Sequence, residues 1–417
     1  MKTAVQFGAG NIGRGFTGQL FSESGFEVVF VDVVPEIVEA LNERHGYTIR
    51  IAAEPEQDVR VNNVRAVSGR DSGAVAVEVA GADIACTAVG VNVLESIAGA
   101  MAAGLELRMR KCPDGTLNVI VCENMLDAAG ALRDMVMRRL PAQAQEWAGA
   151  HVGFTQAVVG RMVPVRTAEE RASDPLGIRV EAYKRLPVDA DAVKGELPKI
   201  AGVEAHSNFR AYIDQKLFAH NAGHAASAYF GARKGLTYVW ECMDDPEVRG
   251  RTRDVMEESG RALIACYGLN AEEHWRHVDD LLRRFANRKL GDTVARVGGD
   301  PLRKLGREDR LVGAALFCER QGVQPAAVAE AIAAGLAFRN PDDQSAAKME
   351  CYGMSLVHGG WIDPLDEYLT DVSREYFANE RAAYFFSGHT HVQSLSLLDG
   401  ICHCNPGSVG QPRDADA

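Results

Sequence analysis

The chain has 417 residues, 47% of them hydrophobic and 24% charged, and a formal net charge of −12. That length allows two or three domains, each with a core of its own, and the composition is that of a soluble globular protein. Nothing resembles the basic stripe that nucleic acid requires, no apolar run reaches bilayer length, and no leader-like segment opens the chain; the cytoplasm is expected, with neither a nucleic-acid nor a membrane partner.

The chain opens on TAVQF, a short β-rich run, followed by the turn Gly8-Ala9-Gly10-Asn11-Ile12-Gly13. Apolar residues then recur at Ile12, Phe16, Leu20 and Phe21, a helical stripe that Gly25 stops. In such a turn Gly8 permits the tight bend and Gly10 lets the backbone approach a pyrophosphate. Gly13 lets the helix pack closely on the strand, with the helix N-terminus facing the phosphate charge. The second strand, EVVFVD, ends at Asp32, nineteen residues after Gly13. A carboxylate there accepts hydrogen bonds from an adenosine ribose and repels a 2′-phosphate, which favours NAD over NADP. A plain βα turn would not account for Asp32. The runs DIACTAVG, LNVIVCEN and VGFTQAVVGRMV continue the rhythm, so a Rossmann-type, doubly wound parallel sheet is expected over residues 1–195.

The nine cysteines are scattered, mostly within apolar runs such as DIACTAVG, IVCENM and LIACYG. Buried free thiols in a reducing compartment are expected, not a disulfide frame. Cys402 and Cys404 flank His403, but the spacing is not that of a zinc site and no second pair answers it.

From about residue 200 the strand signal fades, and RDVMEESGRALIACYG and PAAVAEAIAAGLAF read as helices. An α-helical domain is expected over 196–345. Its most informative stretch is DQKLFAHNAGHAASAYF, residues 214–230. At roughly 100° per residue, Lys216, His220, His224 and Asn221 fall near 0°, 40°, 80° and 140°, while Phe218, Ala222, Ala225 and Tyr229 gather on the other side. One face suits a core, and the other presents an amine, an amide and two imidazoles. Oxidising an alcohol needs a base for the hydroxyl proton and donors for the oxygen whose charge changes. Lysine serves as that base if its pKa falls from about 10.4 to about 7–8, on the order of 4 kcal/mol. A solvated surface lysine is the plainer alternative. Zinc through His220 and His224 is another, although no acid or cysteine nearby completes the site.

The Lys-x-x-x-x-Asn-x-x-His arrangement at Lys216, Asn221 and His224 resembles the signature of polyol-specific long-chain dehydrogenases. FGAGNIGRGF, CENM, KLFAHNAGHA and DPLRKLGREDRL match in order to about Asn340, and look like the members of that family that act on mannitol 1-phosphate. The resemblance implies metal-independent, NAD-dependent interconversion of D-mannitol 1-phosphate and fructose 6-phosphate, in a chain expected to be a monomer. It also implies that Lys216 is the general acid/base and that Asn221 and Asn124 hold the reacting oxygen. His224 would orient the substrate and support Lys216. Arg296, Arg303 and Lys304 are candidates for the substrate phosphate; solvated charges at a helix end are the alternative. One departure stands out. The family usually reads Asp-Arg-Ile-Val-Pro where this chain has GRMVP, with Gly160 in place of the aspartate.

The last segment, 346–417, resembles the C-terminal half of a calcineurin-like metallophosphoesterase through GHTH and NPGSVGQPRD, with His358, His389 and His391 at late metal-ligand positions. The early motifs that supply the bridging acid do not occur upstream. No metal is therefore expected, and the tail reads as part of a β-sandwich left by a gene fusion. A bifunctional dehydrogenase/phosphatase and an inactive NAD-binding protein are the competing readings.

Overall fold

The computed structural model describes residues 1–164, 166 and 168–351, and beyond them only strands within 354–406. Contacts divide the chain into two units, Met1–Ile213 and Asp214–Ala417.

The first unit begins with β1 (Lys2–Phe7), β2 (Phe26–Asp32), β3 (Gly46–Ile51), β4 (Gln57–Asn62), β5 (Val64–Ser68), β6 (Ile84–Thr87), β7 (Leu117–Val121) and β8 (Val152–Gln156). Six of these form a sheet in the order β5-β2-β1-β6-β7-β8, and every neighbouring pair runs parallel. This is the expected doubly wound sheet, with its order reversing between β1 and β6, where such sheets open a ligand crevice. Side chains alternate across the strands. Ala4, Val28 and Ile84 therefore join one buried cluster, while Val5, Val29 and Ala85 join another. Burial on both faces explains why these strands read as unbroken apolar runs.

Four strand pairings were not anticipated. The parallel strand β5 extends the sheet, and β3 and β4 form an antiparallel pair. β9 (Ile178–Val180) then joins β3 in parallel. β10 (Leu186–Asp189) pairs with β11 (Val203–His206), which keeps residues 203–206 in the first unit. Of the described cysteines, Cys86, Cys122, Cys242 and Cys318 are buried, but Cys112 and Cys266 are exposed. Cys266, in LIACYG, lies near the end of its helix and corrects the expectation of burial.

The second unit is helical up to residue 351. Long helices run over Pro246–Tyr267 and Ala271–Phe285, with Val312–Arg320 and Ala326–Leu336 behind them. Asp245 starts the first by accepting the Glu247 and Val248 amides, and Gly268 ends it at φ +63°. Phe218, Ala222, Ala225 and Tyr229 are buried, as their helical face requires. Packing here is close: a Cβ on Gly223 would sit 2.5 Å from Met256 Sδ. Strands β12 (Met354–Val357), β13 (Tyr384–Ser387), β14 (Gln393–Leu398) and β15 (Ile401–Pro406) form a mixed sheet in the order β12-β13-β15-β14. His358, His389 and His391 lie outside the described residues. No described helix is long and apolar enough to cross a membrane.

Candidate active site

The glycine turn after β1 is built for close approach. Gly8 adopts φ +86°, and a Cβ there would lie 2.4 Å from the Ala88 carbonyl oxygen. At Gly13 a Cβ would fall 1.9 Å from the Gly8 carbonyl oxygen, so no larger residue fits. Gly10 differs, because a Cβ there would meet no protein atom within 4 Å. The open side of the turn is the side left for a ligand.

Asp32, at the end of β2, steadies this turn. Its carboxylate accepts from the Ala9 amide at 2.7 Å and from the Val34 amide at 3.0 Å. Each oxygen can accept further, as a ribose diol requires. Across the crevice, the buried Glu123 accepts from the Val89 and Gly90 amides, both at 2.8 Å. It ties the end of β7 to the loop after β6, and Asn124 follows it, exposed. Asn11 and Arg14 line a cavity of about 180 Å³ with Ile37, Arg166, Arg171 and Pro175. Three guanidinium groups and no carboxylate line it, which suits an anion. Arg14 is held there by the Ala9 and Pro175 carbonyls, at 2.6 and 2.7 Å. None of these arginines was singled out in the sequence, where an arginine inside a helix looks solvated.

The first turn of the helix after the glycines is a π turn over Gly13–Thr17, in which the Gly18 amide donates to the Gly13 carbonyl. The Arg14 carbonyl thereby loses its α-helical donor and takes the buried Tyr47 hydroxyl instead, at 2.7 Å.

The second unit repeats this device at the lysine. Lys216–Asn221 is a π turn leading into the α-helix Ala222–Arg233. The uniform spacing of about 100° per residue is therefore corrected here. In the i→i+5 register, residue 221 lies nearly above residue 216 instead of a third of a turn or more away. The i→i+5 register brings positions 216 and 221 closer to one edge than α-helical arithmetic allows.

His220 does not share the open face. It is buried, its ring centroid 5.7 Å from that of Phe285. Burial first, then Arg284, His224 and Lys216, push its pKa well below the usual imidazole value. It is a neutral imidazole, kept so first by burial and then by the charge of Arg284. His224 stacks on Phe285, with centroids 4.9 Å apart and rings 14° from parallel. Its Nε2 lies 3.5 Å from Asp292 Oδ2, at the outer limit of a hydrogen bond. Burial lowers the His224 pKa, and Asp292 opposes that shift. Asp292, itself 7% exposed, is also paired with Arg296. Burial would raise its pKa, but His224 and Arg296 hold it below the usual carboxylate value. This carboxylate was missed in the sequence, where 68 residues separate it from His224.

The three cations suggested for a phosphate are placed differently from one another. Arg296 belongs to the His224–Asp292 group. Arg303 is paired with Asp300 at 2.6 Å and Asp309 at 3.4 Å. Lys304 is turned inward, donating to the Val297 carbonyl at 2.6 Å and to that of Gly299, and burial lowers its pKa to about 7. At Gly160, a Cβ would approach Tyr183 Cε1 to 3.1 Å, so an aspartate fits only if that ring yields slightly. Among the described residues, no group of three or more His, Cys, Asp or Glu is placed to hold a metal.

Residues 2–202 match the mannitol dehydrogenase Rossmann domain, and residues 208–380 the mannitol dehydrogenase C-terminal domain. The second match runs past residue 345, where the tail was expected to begin. A mannitol-1-phosphate 5-dehydrogenase from Brevibacillus brevis is 41% identical over 362 residues, covering 87% of this chain and 92% of that protein. The structure of Pseudomonas fluorescens mannitol 2-dehydrogenase, a ternary complex with NAD and D-mannitol, aligns with TM-score 0.66 at 18% identity, covering 84% of this chain and 83% of the other. A substrate-free D-sorbitol dehydrogenase aligns with TM-score 0.69 at 17% identity, covering 84% of each chain. These two likenesses establish the fold, and the matched domains and the Brevibacillus relative establish the lineage: the chain belongs to the mannitol dehydrogenase family.

Proposed function

We propose that this protein is an NAD-dependent mannitol-1-phosphate 5-dehydrogenase, interconverting D-mannitol 1-phosphate and fructose 6-phosphate. The observation that carries this reading is the 41% identity to an enzyme of that name over most of both chains. The lysine, asparagine and histidine on one helix supply the chemistry it needs. NAD fits the residues present: the glycine turn is open on the side of Gly10, and the Asp32 carboxylate ends β2. Gly8, Ala9, Gly10, Asn11, Ile12 and Gly13 would hold the pyrophosphate, and Asp32 the ribose. When bound, the nicotinamide takes or gives the hydride.

The chain's own part is to manage a proton and an oxygen. In the oxidation, Lys216 Nζ accepts the hydroxyl proton of the substrate; in the reduction it returns a proton to the ketone oxygen. Asn221 donates to that oxygen, whose negative charge grows before the proton arrives; the family pattern gives Asn124 the same role. His224, neutral and fixed between Phe285 and Asp292, orients a neighbouring hydroxyl. For the substrate phosphate we favour Arg296, because it adjoins the Asp292–His224 pair, with Arg303 as the further guanidinium; Lys304, turned inward, is set aside. Comparing kcat/KM for fructose 6-phosphate and fructose tests the reading. A strong preference for the phosphate ester is expected, and equal values would refute it.

Two substitutions test the parts. Asp32→Ala should weaken NADH binding by roughly tenfold, the worth of one or two charged hydrogen bonds, and narrow the discrimination against NADPH. Fluorescence titration with both cofactors measures it; an unchanged ratio would exclude Asp32 from ribose recognition. Asp292→Asn should lower kcat/KM for fructose 6-phosphate by roughly 10–100-fold. Because Asp292 raises the His224 pKa against burial, its loss moves any acid limb due to His224 to lower pH. A pH profile unchanged in position would detach the carboxylate from the histidine.

The likeness of the last residues to a metallophosphoesterase is a reading of sequence. Phosphate release from mannitol 1-phosphate with added manganese would support the bifunctional alternative, and none would retire that alternative.

A further inference from the structure

We propose that Ser259 is a positioning residue for Lys216 and Asn221, its hydroxyl holding the π turn that brings the amine and the amide to one edge of the helix. The inference deepens the dehydrogenase reading and rests on it.

The argument starts from one carbonyl. In an α-helix the Phe218 oxygen would accept the Ala222 amide. Here the Ala222 amide donates instead to the Leu217 carbonyl, five residues back, and to that of Ala219. A buried carbonyl deprived of its donor is costly unless another group supplies a proton. Ser259 supplies it. Its Oγ lies 2.6 Å from the Phe218 oxygen, and the serine is fully buried in the helix Pro246–Tyr267. The Val255 and Met256 carbonyls of its own helix stand farther off, at 3.0 and 3.3 Å. A hydroxyl has one proton. Two oxygens at 2.6 Å, one of them a carbonyl, require that proton to lie between them.

The neighbouring helix is held close enough for this by Gly223, where a Cβ would reach 2.5 Å from Met256 Sδ. Tyr47 and the Arg14 carbonyl make the same kind of bond in the π turn after the glycines. Each of the two helices therefore carries a π turn whose freed carbonyl is taken by a buried hydroxyl, after Arg210–Gln215 in the second case. Without the hydroxyl of Ser259, relaxation toward α-helical register restores the Phe218 bond and turns Asn221 away from Lys216.

The test uses Ser259→Ala and the nearly isosteric Ser259→Cys, whose thiol is a weaker donor, in the full chain. Ser259→Ala should lower kcat for fructose 6-phosphate reduction by roughly 10–100-fold, the usual consequence of a misplacement near 1 Å, with KM changed much less. Ser259→Cys should fall between it and the parent. NADH affinity, read by fluorescence, should be unchanged in both. A variant with lowered Tm but parental kcat would assign Ser259 a structural role only, and overturn the proposal, as would equal Tm and equal kcat. Should the alanine variant fail to fold, the cysteine variant decides by the same criteria. A parent chain that does not reduce fructose 6-phosphate would instead sink the functional reading on which this rests.

Discussion

Gly13→Ala should lose NADH binding and melt at a lower temperature, whereas Gly10→Ala should melt as the parent does and lose only affinity. The contrast follows from the two directions in which a methyl group would point. At Gly13 it would meet the Gly8 carbonyl oxygen at 1.9 Å, inside any tolerable contact. The turn must open, and forcing backbone into a strained conformation costs on the order of 1–3 kcal/mol. That alone is roughly 10–100-fold in affinity, and the displaced helix N-terminus adds to it. At Gly10 the methyl meets no protein atom, so only a ligand can object. Fluorescence titration with NADH and thermal melting of both variants measure the pair. Parental binding by Gly13→Ala would show that this turn does not cradle the cofactor. A lowered Tm in Gly10→Ala would show that its open side is occupied by protein.

Lys216→Ala should lower kcat by roughly 10²–10⁴-fold, the usual contribution of a positioned acid or base, and leave NADH affinity unchanged. The lysine shares the edge of a π turn with Asn221, and neighbours a buried neutral imidazole that also feels Arg284. Steady-state rates with saturating fructose 6-phosphate and NADH measure the effect. Near-parental turnover would remove Lys216 from the chemistry.

The glycines, Asp32 and the apolar strands were legible because each obeys a local rule. A tight turn needs glycine, an acid ends the second strand at a fixed distance, and a strand buried on both faces is apolar throughout. The helical second unit was legible for the same kind of reason, in apolar residues at helical spacing. The π turn at Lys216 was not, since angular arithmetic presumes one register along a helix. What sustains that turn is a hydroxyl 41 residues away from Phe218. Asp292 escaped notice for a similar reason, its meaning set by a histidine on another helix. Lys304 shows the opposite error. A lysine in a basic run suggests a ligand site, yet its ammonium is turned to two carbonyls of its own segment. Charge was readable in the sequence, but direction was not.

The consumption of NADH by the intact chain, supplied with fructose 6-phosphate and a strong chelator, tests the central claim most directly. Absorbance should fall at the same rate with and without chelator, and mannitol 1-phosphate should accumulate in step. No substrate-dependent loss of NADH, or a rate abolished by the chelator, would contradict a metal-independent hydride transfer served by Lys216.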